Sequence, residues 1–344
     1  MEKREIGIFT LPELNKELKA WNEPRFRTEQ IYRWIHEKLV ESFSQMTNLP
    51  FPIRERLENS YSLKYPEIVE MHESEKDGTQ KYLFSLNDGE LIESVRIPQD
   101  FGDSVCVSSQ VGCAMNCAFC ASGIDGKIRN LSAFEMLAQV YAIQKSCGQR
   151  VSNVVVMGMG EPLDNYDNLV KFVRILSGEG GLKISRRNIT VSTCGVVPGI
   201  RKLCEEITGI TLALSLHAAT QELRETLMPV AKTWPLDEVM EACEEYFKKT
   251  GRRVTYEYAL IKNVNDRDED IEALAKLLEG QNCHVNLIPV NKVSGKAFSK
   301  VNKLKATEVK NKLEKSGINV TIRKERGSDI GGACGQLRRH KAAL

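Results

Sequence analysis

The chain has 344 residues, 42% of them hydrophobic and 27% charged, which is typical of a globular protein and argues against a disordered one. Its length allows one large domain with an accessory segment, or two domains. No apolar run approaches the roughly 18 residues of a membrane span, and the opening MEKRE lacks a signal-peptide core, so we expect a cytoplasmic protein without a membrane partner. Ten cysteines in that setting indicate metal ligation or catalysis rather than structural disulfides.

The net charge of +2 conceals an uneven distribution. From Lys292 to the end, 14 lysines and arginines stand against 4 acidic residues, a net charge of +10, whereas the preceding 291 residues carry −8. A basic segment of this kind is expected of a protein that binds a polyanion, most simply a nucleic acid. A solvated helix face with unpaired lysines would have the same composition, so charge alone leaves the partner open.

The N-terminal segment, residues 1–62, is predicted to be a helical accessory domain that binds RNA. Apolar residues at helical spacing predict helices over 11–18 and 27–40, and a third from about Pro52. Its arginines and Trp34 are candidate RNA contacts, although packing within a helical domain explains the aromatic residue as well. Residues 63–98 are predicted to form a small β-meander, because two β-rich runs, 82–86 and 91–97, each follow an Asp-Gly turn signal.

Strands and helices alternate through a core predicted over 99–291, as expected of a parallel sheet with right-handed crossovers. Ser132 and Glu135 form a capping box that opens the first core helix. The fold class is α/β, either an open, partial barrel of six β/α units or a doubly wound sheet. A basic C-terminal extension, 292–344, adds a helix near 307 and a strand over 318–323. The predicted core strands are 105–108, 153–157, 188–192, 209–216, 253–260 and 284–289, and the core helices begin near 132, 165, 199, 236 and 266.

Three cysteines, Cys113, Cys117 and Cys120, lie within eight residues just after the first core strand. Thiolates are soft ligands that select zinc, copper(I) or iron–sulfur centres. A closed site takes four protein ligands, so either a distant residue completes the set or one position is left open for chemistry. Three core cysteines, or a zinc site completed by a residue such as Cys106 or Cys147, are the alternatives. Because no histidine lies nearby, an iron–sulfur centre with an open position is favoured.

Polar residues follow further strands at their carboxyl ends, which share one rim in barrel-type α/β folds. Any one of them has an ordinary explanation, such as a turn or a buried histidine. Together with the cysteine loop they predict a binding site, where glycines let a ligand approach the main chain and a carboxylate suits an ammonium group. The candidate ligand-binding residues are Gly160, Glu161, Ser192, Ser215, Leu216, His217 and Asn291.

Five motifs occur in order along nearly the whole chain, and together they resemble the RlmN/Cfr family of radical S-adenosylmethionine (SAM) adenosine methyltransferases. The Gly-Glu-Pro at 160–162 is more similar to the RlmN type. The resemblance implies a partial radical-SAM barrel, a 4Fe–4S cluster on the three cysteines, and SAM bound at the open iron by the strand-end residues. The motifs are Cys113-x3-Cys117-x2-Cys120, Gly158-Met-Gly-Glu-Pro-Leu163, Ala213-Leu-Ser-Leu-His217, Val285-Asn-Leu-Ile-Pro289 and Gly331-Gly-Ala-Cys-Gly-Gln-Leu337.

The same resemblance implies methylation at C2 of an adenosine in 23S rRNA, in the peptidyl transferase centre, and of adenosine 37 in some tRNAs. Cys334 would accept a methyl group from one SAM, and a 5′-deoxyadenosyl radical from a second SAM would activate that group for addition to adenine. Cys106 would remove the ring proton and release the product by forming a disulfide with Cys334, and Glu93 would accept a proton. As sequence features alone, these residues also fit a tail cysteine, a core cysteine and a solvent-facing strand residue.

An electron donor such as flavodoxin or ferredoxin and a monomeric state are expected by family analogy. Three other functions remain open at this point. They are methylation at C8, as in the Cfr type; a radical enzyme that acts on a small molecule or a protein; and a zinc-stabilised RNA-binding protein without catalysis.

Overall fold

A computed structural model describes residues 3–100, 102–293 and 295–338, so the extreme ends of the predicted N- and C-terminal segments lie outside it. The strands are β1 (Arg4–Glu5), β2 (Tyr61–Ser62), β3 (Glu67–Glu73), β4 (Gln80–Ser85), β5 (Leu91–Ile97), β6 (Asp103–Cys106), β7 (Gln110–Gly112), β8 (Lys127–Asn130), β9 (Val151–Val156), β10 (Ile189–Thr193), β11 (Thr211–Ser215), β12 (Val254–Leu260), β13 (Cys283–Pro289) and β14 (Asn319–Ile322).

Ten α-helices are found in the described residues. They are α1 (Leu11–Lys19), α2 (Arg25–His36), α3 (Phe51–Ser60), α4 (Ala133–Cys147), α5 (Tyr166–Ser177), α6 (Val197–Glu206), α7 (Gln221–Leu227), α8 (Leu236–Thr250), α9 (Asp268–Leu277) and α10 (Lys303–Lys315). None of them is long and apolar enough to cross a membrane.

One ten-stranded sheet organises the molecule, in the order β14-β13-β12-β11-β10-β9-β6-β5-β4-β3. The strands from β6 through β9 to β14 pair in parallel, and β3 to β6 pair antiparallel. Side chains of the central strands, such as Val191 and Leu212, are fully buried, as expected where helices cover a parallel sheet. The sheet does not close on itself, so the predicted α/β class with an open, partial barrel is confirmed.

Strand boundaries in the parallel region agree with the sequence prediction to within two residues at each end. The predicted capping box is present, with Ser132 Oγ accepting from Glu135 N at 3.1 Å and Glu135 Oε2 accepting from Ser132 N at 2.8 Å. The helix predicted over 27–40 ends earlier, at His36, and Leu39 just beyond it has a left-handed φ of +55°.

The β-meander is continuous with the main sheet, because β5 pairs with β6 from Val95↔Cys106 to Ile97↔Ser104. The N-terminal helices pack on the same body: His36 Nδ1 lies 3.0 Å from the hydroxyl of Tyr141 on α4. Helix α7 and the hairpin of β7 and β8 were not predicted, because both are short and largely polar. The four-part division of the chain stays a prediction.

Candidate active site

The carboxyl ends of the parallel strands surround a cavity whose empty volume, including its open mouth, is about 970 Å³. Ten of the predicted site residues line it, and three, Glu93, Cys106 and Leu216, do not. The ten are Cys113, Cys117, Cys120, Gly160, Glu161, Ser192, Ser215, His217, Asn291 and Cys334.

The three cysteines lie on the loop between β7 and β8, which closes where the Cys113 N–H donates to the Gly126 carbonyl at 3.2 Å. A Cβ on Gly112, whose φ is +74°, would lie 1.9 Å from that oxygen, so the closure requires glycine. Burial raises the pKa of Cys113 to about 12 and raises that of Cys117, and charge on Cys120 raises both further. Cys113 and Cys117 therefore ionise together only when a bound cation compensates their charge.

No three His, Cys, Asp or Glu side chains in the described residues converge closely enough to hold a single metal ion. The cysteine loop therefore brings its thiols to one cavity without closing them around one point.

The rim beside the cysteine loop is held by Glu161, which is 3% exposed. Its Oε1 accepts from Leu163 N at 3.0 Å and its Oε2 from Cys194 N at 2.8 Å. Burial raises the pKa of Glu161, and these main-chain donors act in the opposite direction. Gly160 has φ of +102°, and a Cβ there would lie 2.6 Å from the Gln110 Cβ. The carboxylate thus fixes the rim, and each oxygen already accepts one main-chain hydrogen bond.

Hydroxyl and imidazole groups line the cavity from β10 and β11. The Ser192 and Ser215 hydroxyls lie 3.5 Å apart. His217 has a left-handed φ of +57°, and its Nδ1 accepts from Ala259 N at 2.8 Å. Burial lowers the pKa of His217 to about 3, and Arg224 lowers it further. The ring is therefore neutral near pH 7 and carries its proton on Nε2, which makes it a hydrogen-bond donor at the cavity.

Leu216 is part of the core instead of the cavity. Its side chain is fully buried. Its N–H donates to the Glu257 carbonyl at 3.0 Å, and its carbonyl accepts from Ala218 N at 2.8 Å. Both main-chain groups are therefore used within the protein, and the predicted ligand contact has no support from this geometry.

The glycine-rich C-terminal segment, 327–338, docks on the cysteine loop and carries Cys334 to the cavity. The Gly335 carbonyl accepts from Ala121 N at 2.8 Å, and the Leu337 carbonyl accepts from Ser122 Oγ at 2.7 Å. From the opposite rim, Asn291 Nδ2 donates to the Cys334 carbonyl at 2.9 Å. The Cys334 side chain is exposed. A solvent-accessible thiol is thereby held beside the cysteine loop.

Cys106 ends β6 and is 9% exposed. Burial raises the pKa of Cys106 to about 12, charge on Cys334 raises it further, and Arg323 lowers it. The pKa of Arg323 is raised chiefly by Cys334 and also by Glu257, whose Oε2 lies 3.7 Å from Arg323 Nη1. One guanidinium therefore acts on both thiols. The predicted disulfide is not present, since all ten cysteines are thiols.

Glu93 lies beneath the segment that carries Cys334. It is 2% exposed, forms an ion pair with Lys81 Nζ at 3.0 Å, and its Oε2 accepts from Arg338 N at 2.8 Å. The reading of Glu93 as a solvent-facing strand residue is therefore wrong.

Sequence reasoning missed Cys194 and Glu257, which line the cavity, and Arg224, which is fully buried behind it. Glu257 is the only charged residue in β12, an otherwise apolar buried strand, and this was the signal that could have found it. Its Oε1 accepts from Asn286 Nδ2 at 2.9 Å. Cys194 resembles the other buried cysteines, and Arg224 belongs to a short polar helix, so neither carried a distinguishing signal.

Comparison with known proteins places these features in a family. Residues 107–278 match the sequence profile of the radical SAM superfamily, and residues 6–63 match the ribosomal RNA large subunit methyltransferase N-terminal domain. The chain is 53% identical over 338 residues to "Probable dual-specificity RNA methyltransferase RlmN" of Lachnoclostridium phytofermentans, covering 98% of this chain and 95% of that protein. The chain belongs to the RlmN family.

Other comparisons within the family agree. A protein of the same name from Lachnospira eligens is 52% identical, with 97% of this chain and 95% of that protein covered. The crystal structure of a radical SAM methyltransferase from Sphaerobacter thermophilus superposes with a TM-score of 0.92 at 43% identity, covering 97% of this chain and 99% of that one.

The cofactors of the radical SAM family are a 4Fe–4S cluster and SAM, and the residues of this RlmN-family cavity fit both. Three thiols project from one loop and leave the fourth cluster position to a ligand. Asn291 Oδ1 is buried at the cavity without a hydrogen-bond partner among the described residues, as expected of a group that awaits a ligand. A Cβ on Gly158 would lie 2.7 Å from Ser108 N, so the strand tip here is packed too tightly for any side chain.

Proposed function

We propose that this protein is a radical SAM methyltransferase that methylates C2 of an adenosine in 23S rRNA and adenosine 37 in some tRNAs. The observation that carries the proposal is the placement of Cys334, an exposed thiol held by hydrogen bonds over a three-cysteine loop. A thiol in that position can reach a ligand in the cavity and a substrate at its mouth. The family profile over 6–63 and the RlmN-named relatives support RNA as the substrate.

Cys113, Cys117 and Cys120 would hold the cluster, and Ser192, Ser215, His217 and Asn291 would orient SAM. When bound, these cofactors supply a methyl group and a carbon-centred radical, which an electron-poor adenine carbon requires because it is a weak nucleophile. The neutral His217 ring donates from Nε2 and the Asn291 Oδ1 accepts, so donor and acceptor positions on the ligand are distinguished.

Cys334 is the residue that would carry the methyl group to adenine, and Cys106 the one that would release the product. Cys106, as thiolate, attacks the sulfur of the thioether that joins Cys334 to the RNA. The S–S bond forms, the C–S bond breaks with its electron pair on carbon, and that carbon takes a proton to become the methyl group. Arg323 favours the Cys106 thiolate, because the positive charge of its guanidinium lowers the pKa of that cysteine.

Glu93 would accept the ring proton that Cys106 removes before this release, which returns Cys106 to the thiolate that attacks sulfur. Its carboxylate is buried and paired with Lys81, and it is bonded to the main chain of Arg338 in the segment that carries Cys334. The proton acceptor is thus bonded to the same short segment, 327–338, that carries the catalytic thiol.

A basic groove flanks Cys334 and suits a phosphate backbone. We define it as Lys76, Lys292, Lys296, Lys324 and Arg326, which line adjoining cavities on either side of the thiol. None of the five makes an ion pair with a described residue. Such cations are available for phosphate contacts, which supply most of the affinity of RNA-binding surfaces.

Three of the four acidic side chains that line these cavities are engaged within the protein, and the fourth, Asp100, is exposed. Glu325 pairs with Lys300 at 3.2 Å, Asp329 accepts from Ser74 Oγ at 2.8 Å, and Asp77 accepts from Gly327 N at 3.1 Å. They therefore oppose a polyanion less than their number suggests.

The RlmN names of the relatives support methylation at C2 rather than C8, and rRNA and tRNA as substrates favour a cytoplasmic location. We expect a monomer that receives electrons from a flavodoxin or ferredoxin. The test is mass spectrometry of rRNA and tRNA nucleosides from a strain that lacks the protein. Loss of 2-methyladenosine from both RNAs is expected. Loss of 8-methyladenosine would instead assign the Cfr type, and unchanged RNA would refute the proposal.

A further inference from the structure

A fully buried arginine lies behind the cysteine loop. Arg224, on α7, has no exposed surface. Its Nη2 donates to the Cys194 carbonyl at 2.6 Å and approaches the Ser215 carbonyl at 3.4 Å. Its Nε and Nη1 are buried without a hydrogen-bond partner, and no acidic side chain in the described residues forms an ion pair with it. Arginine is almost never fully buried without such a partner.

Three cysteine side chains interact electrostatically with this charge. Cys194, Cys117 and Cys243, in that order, interact with the Arg224 guanidinium. The last residue of α7, Leu227, accepts at its carbonyl the N–H of Ala118, next to Cys117, at 2.8 Å. The helix that carries the charge is therefore bonded directly to the loop that carries the predicted ligands.

Apolar side chains surround this contact. Leu227 is 1% exposed and belongs to a buried cluster against which Met115, Cys117 and Phe119 pack. Water is excluded there, so the Coulomb interaction between a guanidinium and a thiolate is stronger than at a surface. With Cys117 as a neutral thiol the arginine has no counter-charge. With Cys117 as a metal-bound thiolate it has one.

We propose that Arg224 is the buried counter-charge of the iron–sulfur cluster, where it stabilises the bound thiolates and raises the reduction potential of the cluster. The potential rises because reduction adds negative charge beside a fixed positive one. The proposal rests on the family's cluster but not on the RNA substrate. Arg224 touches no reacting atom and is a positioning residue.

Opposite effects on the cluster-free and cluster-loaded protein follow from this role. Arg224→Met removes an uncompensated buried charge from the cluster-free protein, so thermal unfolding should occur at the same or a higher temperature. In the loaded protein the same change removes the counter-charge, so the reduction potential should fall and iron should be lost faster to a chelator. Arg224→Lys keeps the charge, and its potential should stay closer to that of the natural protein.

The experiment measures iron and sulfide per chain, the potential by anaerobic redox titration, and unfolding of the cluster-free form. The control is Arg252→Met, because Arg252 is partly buried at the opposite end of the sheet, where its Nη2 donates to Thr211 Oγ1 at 3.0 Å. A lower potential in R224M than in R224K and R252M supports the proposal, and equal potentials overturn it. If R224M does not fold, R224Q against R224K decides in the same way.

RNA methylation is not part of this measurement. If the protein does not methylate RNA but its reduction potential depends on Arg224, the proposed function is refuted and this inference stands. If the protein methylates RNA but its reduction potential does not change in the Arg224 variants, this inference is refuted and the proposed function stands.

Discussion

Replacing Lys292 and Lys296 by glutamine should weaken RNA binding and make it less sensitive to salt. Each cation that neutralises a phosphate contributes about 0.7 to the slope of log K against log salt on single-stranded RNA, and about 0.9 on a duplex. If all five cations of the basic groove contact phosphate, the slope is about −3.5 to −4.5, and the double variant should flatten it by about 1.4 to 1.8. Fluorescence anisotropy of a labelled rRNA hairpin at several salt concentrations measures both quantities.

Lys202→Gln with Lys248→Gln is the matched control, because these lysines lie on α6 and α8 and line none of the cavities beside Cys334. The control should keep the natural slope and affinity, and both double variants should keep their cluster absorbance. Equal slopes for the groove variant and the natural protein would refute the placement of RNA along this groove.

Four further outcomes are expected. Cys334→Ala should retain iron and SAM cleavage but abolish RNA methylation, whereas Cys106→Ala should accumulate a covalent protein–RNA adduct visible on denaturing gels; an adduct in the Cys334 variant would contradict both roles. Burial lowers the pKa of His36 from 6.5 to about 3. Between these two values the unfolded chain binds a proton that the folded protein does not. The contribution of His36 to the free energy of unfolding is therefore complete above pH 6.5, and acidification to pH 5 should lower it by about 2 kcal/mol. His36→Gln should remove that part of the pH dependence in urea unfolding, and an unchanged dependence would exclude His36 as its source. Gly160→Ala should lower the free energy of unfolding by roughly 1–3 kcal/mol in the same assay, because the added methyl group would lie 2.6 Å from Gln110 and φ is +102°. Unchanged stability would show that Gln110 and the main chain move to accommodate the methyl group.

The parallel strands could be predicted closely because their burial dictates their composition. A strand covered on both faces has a short, almost continuous apolar sequence, as in 153–157 and 209–216, and helix caps such as Ser132 and Glu135 mark where the next element starts. The meeting of nine site residues in one cavity follows from the rule that parallel strands end at one edge, whereas Cys334 reaches the cavity on the docked C-terminal segment.

The remainder of the site depends on tertiary contacts that local sequence does not encode. Leu216 lies between two cavity residues and was assigned with them, but its side chain points into the core. Arg224 sits in a seven-residue helix whose charged composition is typical of a surface. Glu93 stands beside Ser94 in β5, and two successive polar residues are typical of an exposed strand position, but the segment 327–338 docks over Glu93.

The docking of the C-terminal segment on the cysteine loop has a consequence for biosynthesis. Ser122 and Leu337, which join them, are 215 residues apart in the chain. The cysteines leave the ribosome long before the segment that covers them, so metal delivery can precede closure. Cys334 arrives last, and a chain whose synthesis stops early lacks the thiol that would attack RNA. Translation therefore produces the cysteine loop and the strand-end residues first, and the reactive Cys334 thiol after them.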